Sequence, residues 1–185
     1  MPTSIPACKP TGAQREGNLT VSDTKKCLEE AFAGESQANR KYLAFAEKAD
    51  REGYPQVARL FRAAAAAETV HAHNHLRAMG GIGSTEENLR DAIAGETHEF
   101  KSMYPEMIEA ARKEEHKKAL RSFQYANDVE KIHADLYQGL LDGMGREQEE
   151  YPYYVCPVCG HTVGKNAPEV CPICGTSGDR YSKID

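Results

Sequence analysis

Two pairs of residues place a glutamate three positions before a histidine: Glu68 with His71, and Glu130 with His133. Residues three apart lie on one face of an α-helix, so both side chains of a pair can approach the same ion. A carboxylate beside an imidazole suits iron or manganese better than zinc. A single helical glutamate is usually a solvated surface residue, so neither pair alone would establish a metal site.

Three further glutamates fall beside the apolar residues of two other predicted helices, namely Glu35 on the first helix and Glu96 and Glu99 on the third. Ferritin-like bundles that hold two metal ions use a glutamate from each of two helices and a Glu-x-x-His pair from each of the other two. Burying so many carboxylates without compensating cations would be prohibitive. The combination therefore predicts a carboxylate-bridged di-iron site, in which both ions could engage the two oxygens of one substrate.

Four of the six cysteines form two matching motifs near the C-terminus, Cys156-Pro-Val-Cys159-Gly and Cys171-Pro-Ile-Cys174-Gly. In each motif two thiolates can reach one metal, and the glycine lets the backbone turn so that its N–H groups face sulfur. Three disulfides are the alternative, but this spacing in a chain without an export signal favours metal ligation. The cysteines alone do not choose the metal, because structural zinc sites use the same geometry.

Four helices must position the bundle ligands, and helical periodicity with start and stop signals predicts them. They cover residues 22–50, 55–79, 84 onward, and about 113–141. Ser84 and Glu87 form a capping box that opens the third helix, and Pro105 should kink that helix or remove one backbone hydrogen bond. Short connections favour an up-and-down bundle, although the Gly-rich stretch before the third helix could let the chain cross. We expect an all-α, ferritin-like four-helix bundle over residues 21–146.

The composition changes after the fourth helix. Residues 146–150 are a charged linker, and residues 151–185 are rich in Pro, Gly, Tyr and Cys without a helical period. The domain boundary is therefore expected in the linker, with a small irregular or β four-cysteine domain over residues 151–185.

The chain of 185 residues is 40% hydrophobic and 28% charged, with a net charge of −5, which suits a globular chain with its own core. It has no Lys/Arg tract and no long apolar run, so we expect neither nucleic acid nor a membrane as partner.

Residues 1–20 lack signal-peptide features and are expected to be a flexible arm of a cytoplasmic protein, or else a strap over a partner subunit. Cys8 receives no role, and Cys27 is interpreted as a small packing residue.

Several segments together resemble the rubrerythrin family, and they are Glu35-Ser-Gln-Ala-Asn-Arg-Lys-Tyr42, Glu68-Thr-Val-His71-Ala, Gly95-Glu96-Thr-His-Glu99-Phe, Met103-Tyr104-Pro105-Glu106 and Glu130-Lys-Ile-His133. The resemblance extends from about residue 21 to the C-terminus, where the four-cysteine tail is similar to the rubredoxin-like domain of that family, with its short interval between the two motifs. It implies one iron in the tail, for which zinc can substitute, and two irons in the bundle.

The resemblance also implies a role for each ligand. Glu35 would be a terminal ligand of the first iron, Glu68 and Glu130 would bridge both irons, and Glu96 with His133 would complete the second.

The remaining roles implied by the resemblance concern the state of the first iron. Glu99 would bind this iron when it is oxidised, and His71 would replace Glu99 when it is reduced. Tyr42 and Tyr104 would hydrogen-bond and orient the ligands. Glu99 is the residue that distinguishes this set from a plain ferritin pattern.

By this resemblance the chain would be a peroxidase of oxidative-stress defence that reduces hydrogen peroxide to water. Electrons would pass through the tail iron from a reduced donor such as a rubredoxin or a reductase, with NADH as the ultimate source. A homodimer is implied, with or without exchanged helices, in which the tail of one subunit approaches the bundle of the other. The alternatives are a ferritin-like ferroxidase that handles iron and an inert bundle with structural zinc in the tail.

Overall fold

The structure is a computed structural model that describes residues 21–147 and 149–185. The expected N-terminal arm, with Cys8, lies outside the described residues. The chain divides into two compact units, the first ending at Ile82 and the second running from Gly83 to Asp185. The prediction of a mostly helical chain followed by a small β module with four cysteines is confirmed.

The first unit contains a helical hairpin, with α1 at Val21–Arg51 and α2 at Pro55–Ala78. The turn between the helices uses Gly53, whose φ of +81° lies in the left-handed region that favours glycine. Pro55 then occupies the first position of α2, where no N–H is needed.

The two helices of the hairpin pack closely because small side chains meet between them. Ala46, Ala49 and Ala58 form a buried cluster against which Phe61 packs. Asn39 of α1 donates its amide N–H groups to the Ala65 carbonyl oxygen and to Thr69 Oγ1 of α2, at 2.7 and 2.8 Å. These contacts fix the register of α1 against α2 next to Glu35 and Glu68.

The helices of the second unit are α3 at Thr85–His98, α4 at Tyr104–Lys113 and α5 at Lys117–Asp142. The predicted capping box is present, since the Ser84 hydroxyl accepts from the Glu87 backbone N–H and the Glu87 carboxylate accepts from the Ser84 N–H. The fourth predicted helix begins later than expected, because Glu115 adopts a φ of +53° and separates α4 from α5.

The predicted third helix is interrupted by a π-helical turn at Glu99–Met103. The Tyr104 N–H donates to the Glu99 carbonyl oxygen, five residues earlier. Pro105 follows directly and has no N–H to continue an α-helical ladder, so the backbone widens before α4 begins. The prediction that Pro105 disturbs this helix is confirmed in this form.

The C-terminal module of the second unit is a small antiparallel sheet. Its strands are β1 at Tyr153–Val155, β2 at Thr162–Gly164 and β3 at Ser182–Ile184, in the order β2-β1-β3. Strand β2 contacts α5, so the module is docked on the helices of its own unit. Among the helices of the described residues, none is long and apolar enough to cross a membrane.

Candidate metal centres

The four cysteine sulfur atoms of the C-terminal module converge on one point. All four lie within 4.8 Å of one another, with Cys156 to Cys174 at 3.6 Å and Cys159 to Cys171 at 3.5 Å. These separations are far longer than a disulfide bond of about 2.05 Å. They are near the edge of about 3.8 Å expected for four thiolates arranged tetrahedrally at about 2.3 Å from a metal. The donor set therefore fits one tetrahedral ion.

The backbone around the cysteines repeats the same turn twice. The Gly160 N–H donates to the Cys156 carbonyl oxygen and the Gly175 N–H to that of Cys171, both at 3.0 Å. The two glycines have φ values of +83° and +76°. The predicted reason for a glycine after each motif, a turn that other residues resist, is confirmed.

The Cys171 thiol lies in a hydrogen-bond environment suited to ionisation, whereas burial raises the pKa of the Cys159 thiol. Burial raises the pKa of the Cys171 thiol, but hydrogen bonds from the Tyr181 hydroxyl and from the backbone N–H groups of Cys174 and Ile173 outweigh burial and lower the pKa to about 6. The hydroxyl oxygen of Tyr181 in turn lies 2.9 Å from Nδ1 of the buried His161. A thiol that ionises readily is prepared to bind a metal, because the thiolate is the ligand.

The first carboxylate cluster joins the two helices of the hairpin. The donor atoms of Glu35, Glu68 and His71 lie within 4.8 Å of one another. His71 Nδ1 is 2.9 Å from Glu68 Oε2. A hydrogen bond between the two carboxyls raises the pKa of Glu35 and lowers that of Glu68, so Glu35 is the one of the pair that binds a proton more readily.

The second cluster joins α3 to α5 and contains Glu96, Glu130 and His133, with donor atoms again within 4.8 Å of one another. His133 Nδ1 lies 2.8 Å from Glu130 Oε2 and 3.8 Å from Glu96 Oε1. Burial, followed by the negative charge of Glu130, raises the pKa of the Glu96 carboxyl. Oxygen-rich sets with one imidazole each fit iron or manganese.

Glu99 joins neither cluster among the described residues, although it begins the π-helical turn three residues after Glu96. The negative charge of Glu99 acts on Tyr104. Burial is the largest cause of the raised pKa of Tyr104, followed by the negative charges of Glu99, Glu130 and Glu96. Tyr104 thus lies beside the second cluster. Tyr42, the other tyrosine singled out by the sequence, packs its ring against Phe61 at 6.0 Å between centroids, and its contact with ligands remains a prediction.

The four-cysteine module meets the second cluster within one chain. His133 Nε2 lies 2.9 Å from Thr162 Oγ1 on strand β2. The resemblance implied that the tail of one subunit approaches the bundle of the other, and the structure also brings strand β2 of the tail against His133 of the same chain. Thr162 was missed because nothing in its local sequence indicates a contact with a residue 29 positions earlier.

Cys27 does not pack as the sequence suggested. It is exposed on the first turns of α1, so its interpretation as a packing residue is wrong. The helix presents this position to solvent because its apolar side faces α2.

Comparison with known proteins gives matches along nearly the whole described chain. Residues 26–141 match the family profile described as Rubrerythrin, and residues 154–182 match the profile described as Rubrerythrin, rubredoxin-like domain. Rubrerythrin-2 of Clostridium acetobutylicum is 41% identical over 175 residues, covering 85% of this chain and 95% of that protein. Rubrerythrin of Porphyromonas gingivalis is 39% identical over 172 residues, covering 83% and 86%.

A solved structure described as the fully reduced, all-ferrous state of nigerythrin also matches. It has a TM-score of 0.54 and 30% identity, and the alignment covers 98% of this chain and 100% of that one.

Proposed function

The chain belongs to the rubrerythrin family, and from that premise we propose that it is a non-haem di-iron peroxidase that reduces hydrogen peroxide to water. The observation that supports this proposal is the direct contact between the four-cysteine module and His133 of the second carboxylate cluster. A peroxidase needs electrons to return to the bundle after each turnover, and a one-electron centre beside a ligand of the bundle provides them. Storage of iron needs no such centre.

The proposed bundle ligands are those named from the sequence, within a di-iron domain over residues 21–146 and a rubredoxin-like domain over residues 151–185. They are Glu35, Glu68, His71, Glu96, Glu99, Glu130 and His133, and Cys156, Cys159, Cys171 and Cys174 would hold the single iron. When bound, the bundle irons supply the two electrons that, with two protons, convert hydrogen peroxide into two water molecules.

The residues of the site would hold the protons and orient the substrate. A hydrogen bond with Glu68 raises the pKa of Glu35, and a cation bound at the first cluster would displace any proton held there. Tyr104 keeps its phenolic proton at neutral pH, because the ordinary pKa of tyrosine is about 10 and burial raises that of Tyr104 further. Its O–H can therefore donate a hydrogen bond to a carboxylate of the second cluster and hold that carboxylate in one orientation.

We propose a homodimer with exchanged helices as the working form. The first compact unit carries three of the seven proposed bundle ligands and the second carries the other four, so a complete set requires one copy of each unit. The hairpin of the first unit also exposes large apolar side chains, including Leu60 at 68%, Val70 at 57% and Phe45 at 47% of their surfaces. Apolar surface of this extent is typical of a surface that a partner covers.

The electron donor would be a reduced protein, such as a rubredoxin or a reductase, with NADH as the ultimate source. The family acts with electron donors, and the exposed Val158 between two cysteine ligands offers an apolar contact for one. A cytoplasmic location is proposed because unpaired thiolate ligands persist in reducing compartments.

Anaerobic reduction of the iron-loaded protein, followed by mixing with hydrogen peroxide or with oxygen, tests the peroxidase. Both iron chromophores are followed by stopped-flow absorbance. We expect peroxide to oxidise the bundle irons much faster than oxygen does, after which the four-cysteine iron is oxidised in turn. Protein with zinc in the four-cysteine site is the control, because its bundle should be oxidised once and then remain oxidised. Equal rates with both oxidants, or accumulation of a ferric core, would instead indicate a ferroxidase.

A further inference from the structure

The hydroxyl of Thr162 lies between the cysteine module and a ligand of the bundle. Thr162 Oγ1 is 2.9 Å from His133 Nε2 and 3.0 Å from the carbonyl oxygen of Gly160, the residue after Cys159. Strand pairing of Thr162 with Val155 fixes its position, and Gly160 lies against the fully buried Val129 of α5. The contact is therefore part of a packed interface within the second unit.

The positions of the protons in this contact follow from what each atom can do. A carbonyl oxygen only accepts, so the single hydroxyl proton of Thr162 is donated to Gly160. The Thr162 oxygen then accepts from His133, which places the imidazole proton on Nε2. The other nitrogen, Nδ1, faces the Glu130 and Glu96 carboxylates, and its lone pair is the one that a metal held by these carboxylates would bind.

The same atoms connect the two proposed metal centres. From the Cys159 thiolate the path runs through the peptide to the Gly160 carbonyl, across two hydrogen bonds by way of the Thr162 hydroxyl, and into the His133 ring. An electron can pass along it without any bond being made or broken. One electron leaves the ferrous iron of the cysteine site, one ferric iron of the bundle becomes ferrous, and the external donor then restores the cysteine site.

We propose that Thr162 is the positioning residue that couples the two metal centres. Its hydroxyl oxygen accepts the hydrogen bond from His133 Nε2, fixes the orientation of the imidazole ring, and completes the connection for electron transfer from the cysteine site. This inference rests on the proposed peroxidase function for its electron-transfer half and on the geometry of the second unit for its positioning half. Loss of a partner that orients a metal ligand typically costs about tenfold to a hundredfold in metal affinity or activity.

The test compares Thr162→Val, which replaces the hydroxyl by a methyl group of similar size, with Thr162→Ser, which keeps the hydroxyl. In the iron-loaded full-length protein, reduced and then mixed with one equivalent of hydrogen peroxide, oxidation of the four-cysteine iron reports the internal transfer. We expect that rate to fall at least about tenfold in the valine variant and to stay within about twofold of wild type in the serine variant. The initial oxidation of the bundle irons by peroxide should be changed much less.

A second measurement needs no turnover. The full-length protein with ¹⁵N-labelled histidine and one equivalent of zinc, which the four thiolates take up, is studied by NMR to follow the Nε2–H proton of His133. We expect this proton to exchange slowly with solvent in wild type and in the serine variant, because it is hydrogen-bonded to the residue-162 hydroxyl, and to exchange rapidly in the valine variant. If the valine variant does not fold, Thr162→Ala takes its place in both measurements.

The two measurements separate the failure of this inference from the failure of the proposed function. If peroxide does not oxidise the bundle irons of the wild type, the peroxidase proposal is wrong, and NMR still decides whether Thr162 positions the His133 ring. If peroxide oxidises them but the valine variant transfers electrons as fast as wild type, the coupling role is overturned. An Nε2–H proton that exchanges as slowly in the valine variant as in wild type would overturn the positioning role.

Discussion

The glutamates of the two clusters lie closer together than charged carboxylates normally do, and their protonation reflects it. The pKa of Glu35 is raised by its hydrogen bond with Glu68, and that of Glu96 by burial and then by the charge of Glu130. A pair of cations would remove this repulsion, which is why the two clusters are better explained as ligand sets than as surface acids.

The raised pKa of Glu96 predicts how metal binding depends on pH. Because its pKa is raised, Glu96 binds a proton more tightly in the folded metal-free chain than in the unfolded chain. Its contribution to the stability of the fold is therefore present below its unfolded pKa and is lost as pH rises through its folded pKa. We therefore expect added Mn(II) to raise the melting temperature more at pH 7 than at pH 5. Circular dichroism on heating measures the shift, which should be about 2–4 °C per kcal/mol for a chain of this size.

Glu96→Gln is the matched control for this pH dependence. The neutral amide should make the metal-free protein more stable than wild type at pH 7 and should remove most of the gain from Mn(II). A gain from metal that is the same at both pH values, or that survives in the amide variant, would contradict the assignment of Glu96 as a ligand.

His71 provides a test of ligand exchange. In His71→Ala we expect the resting iron content to survive, because Glu35 and Glu68 remain, while turnover with peroxide falls at least about tenfold. His73→Ala is the control, since His73 is an exposed histidine on the same helix that belongs to neither cluster. Turnover and iron analysis on both variants decide the question, and unchanged turnover in His71→Ala would remove its proposed role.

Residue-level inference from the sequence succeeded where the geometry is local. The Glu-x-x-His pairs were predictable because a helix alone brings residues three apart together. The contact of His133 with Thr162 was not, since it depends on how a strand docks on a helix 29 residues away in the chain. Glu99 was named by resemblance, and its place at a π-helical turn could not be seen in the sequence.

At the scale of elements, the hairpin helices are positioned by a single amide. Asn39 lies one turn after Glu35, and its amide group donates to Ala65 and Thr69, the latter adjacent to Glu68. The alignment of the first cluster therefore depends on a hydrogen-bonded contact between α1 and α2 as well as on their alanine packing.

Asn39→Ala should lower the free energy of unfolding by about 1–3 kcal/mol, because two interhelical hydrogen bonds are lost. It should also weaken metal binding at the first cluster. Asn74→Ala is the control, since the Asn74 side chain is exposed and accepts a hydrogen bond only within its own helix, from Arg77. Urea unfolding of both variants measures the difference, and equal stabilities would show that alanine packing alone sets the register.

The presence of the helices was predictable from hydrophobic periodicity and helix caps, whereas the boundaries between α3 and α4 and between α4 and α5 were not. The π-helical turn before Pro105 and the left-handed Glu115 divide what the sequence suggested were two helices into α3, α4 and α5. Glutamate has no intrinsic preference for a positive φ, so its conformation is imposed by the packing of the neighbouring helices.

At the scale of the whole molecule, the proposed bundle ligands are divided between the two compact units, three in the first and four in the second. If helices are exchanged in the homodimer, each site takes its first cluster from one chain and its second from the other. A complementation experiment can then separate an exchanged dimer from one in which each chain closes its own bundle.

The experiment mixes two inactive variants, Glu35→Gln and Glu130→Gln, which are unfolded together and refolded with iron. In a hybrid with exchanged helices, one site collects both substitutions and the other site is intact. We therefore expect peroxidase turnover to reappear in the mixture. Each variant refolded alone is the control, and the absence of any recovery in the mixture would show that the helices are not exchanged.

The docking of strand β2 on α5 has a kinetic consequence. Because the cysteine module is covalently tethered to the helix that bears His133, its local concentration at that histidine does not change when the protein is diluted. In an assembled dimer, delivery of electrons from the module would be a first-order event, and only dimer assembly and the encounter with the external donor would depend on concentration. An assembled dimer would therefore keep its internal rate however few copies a cell holds.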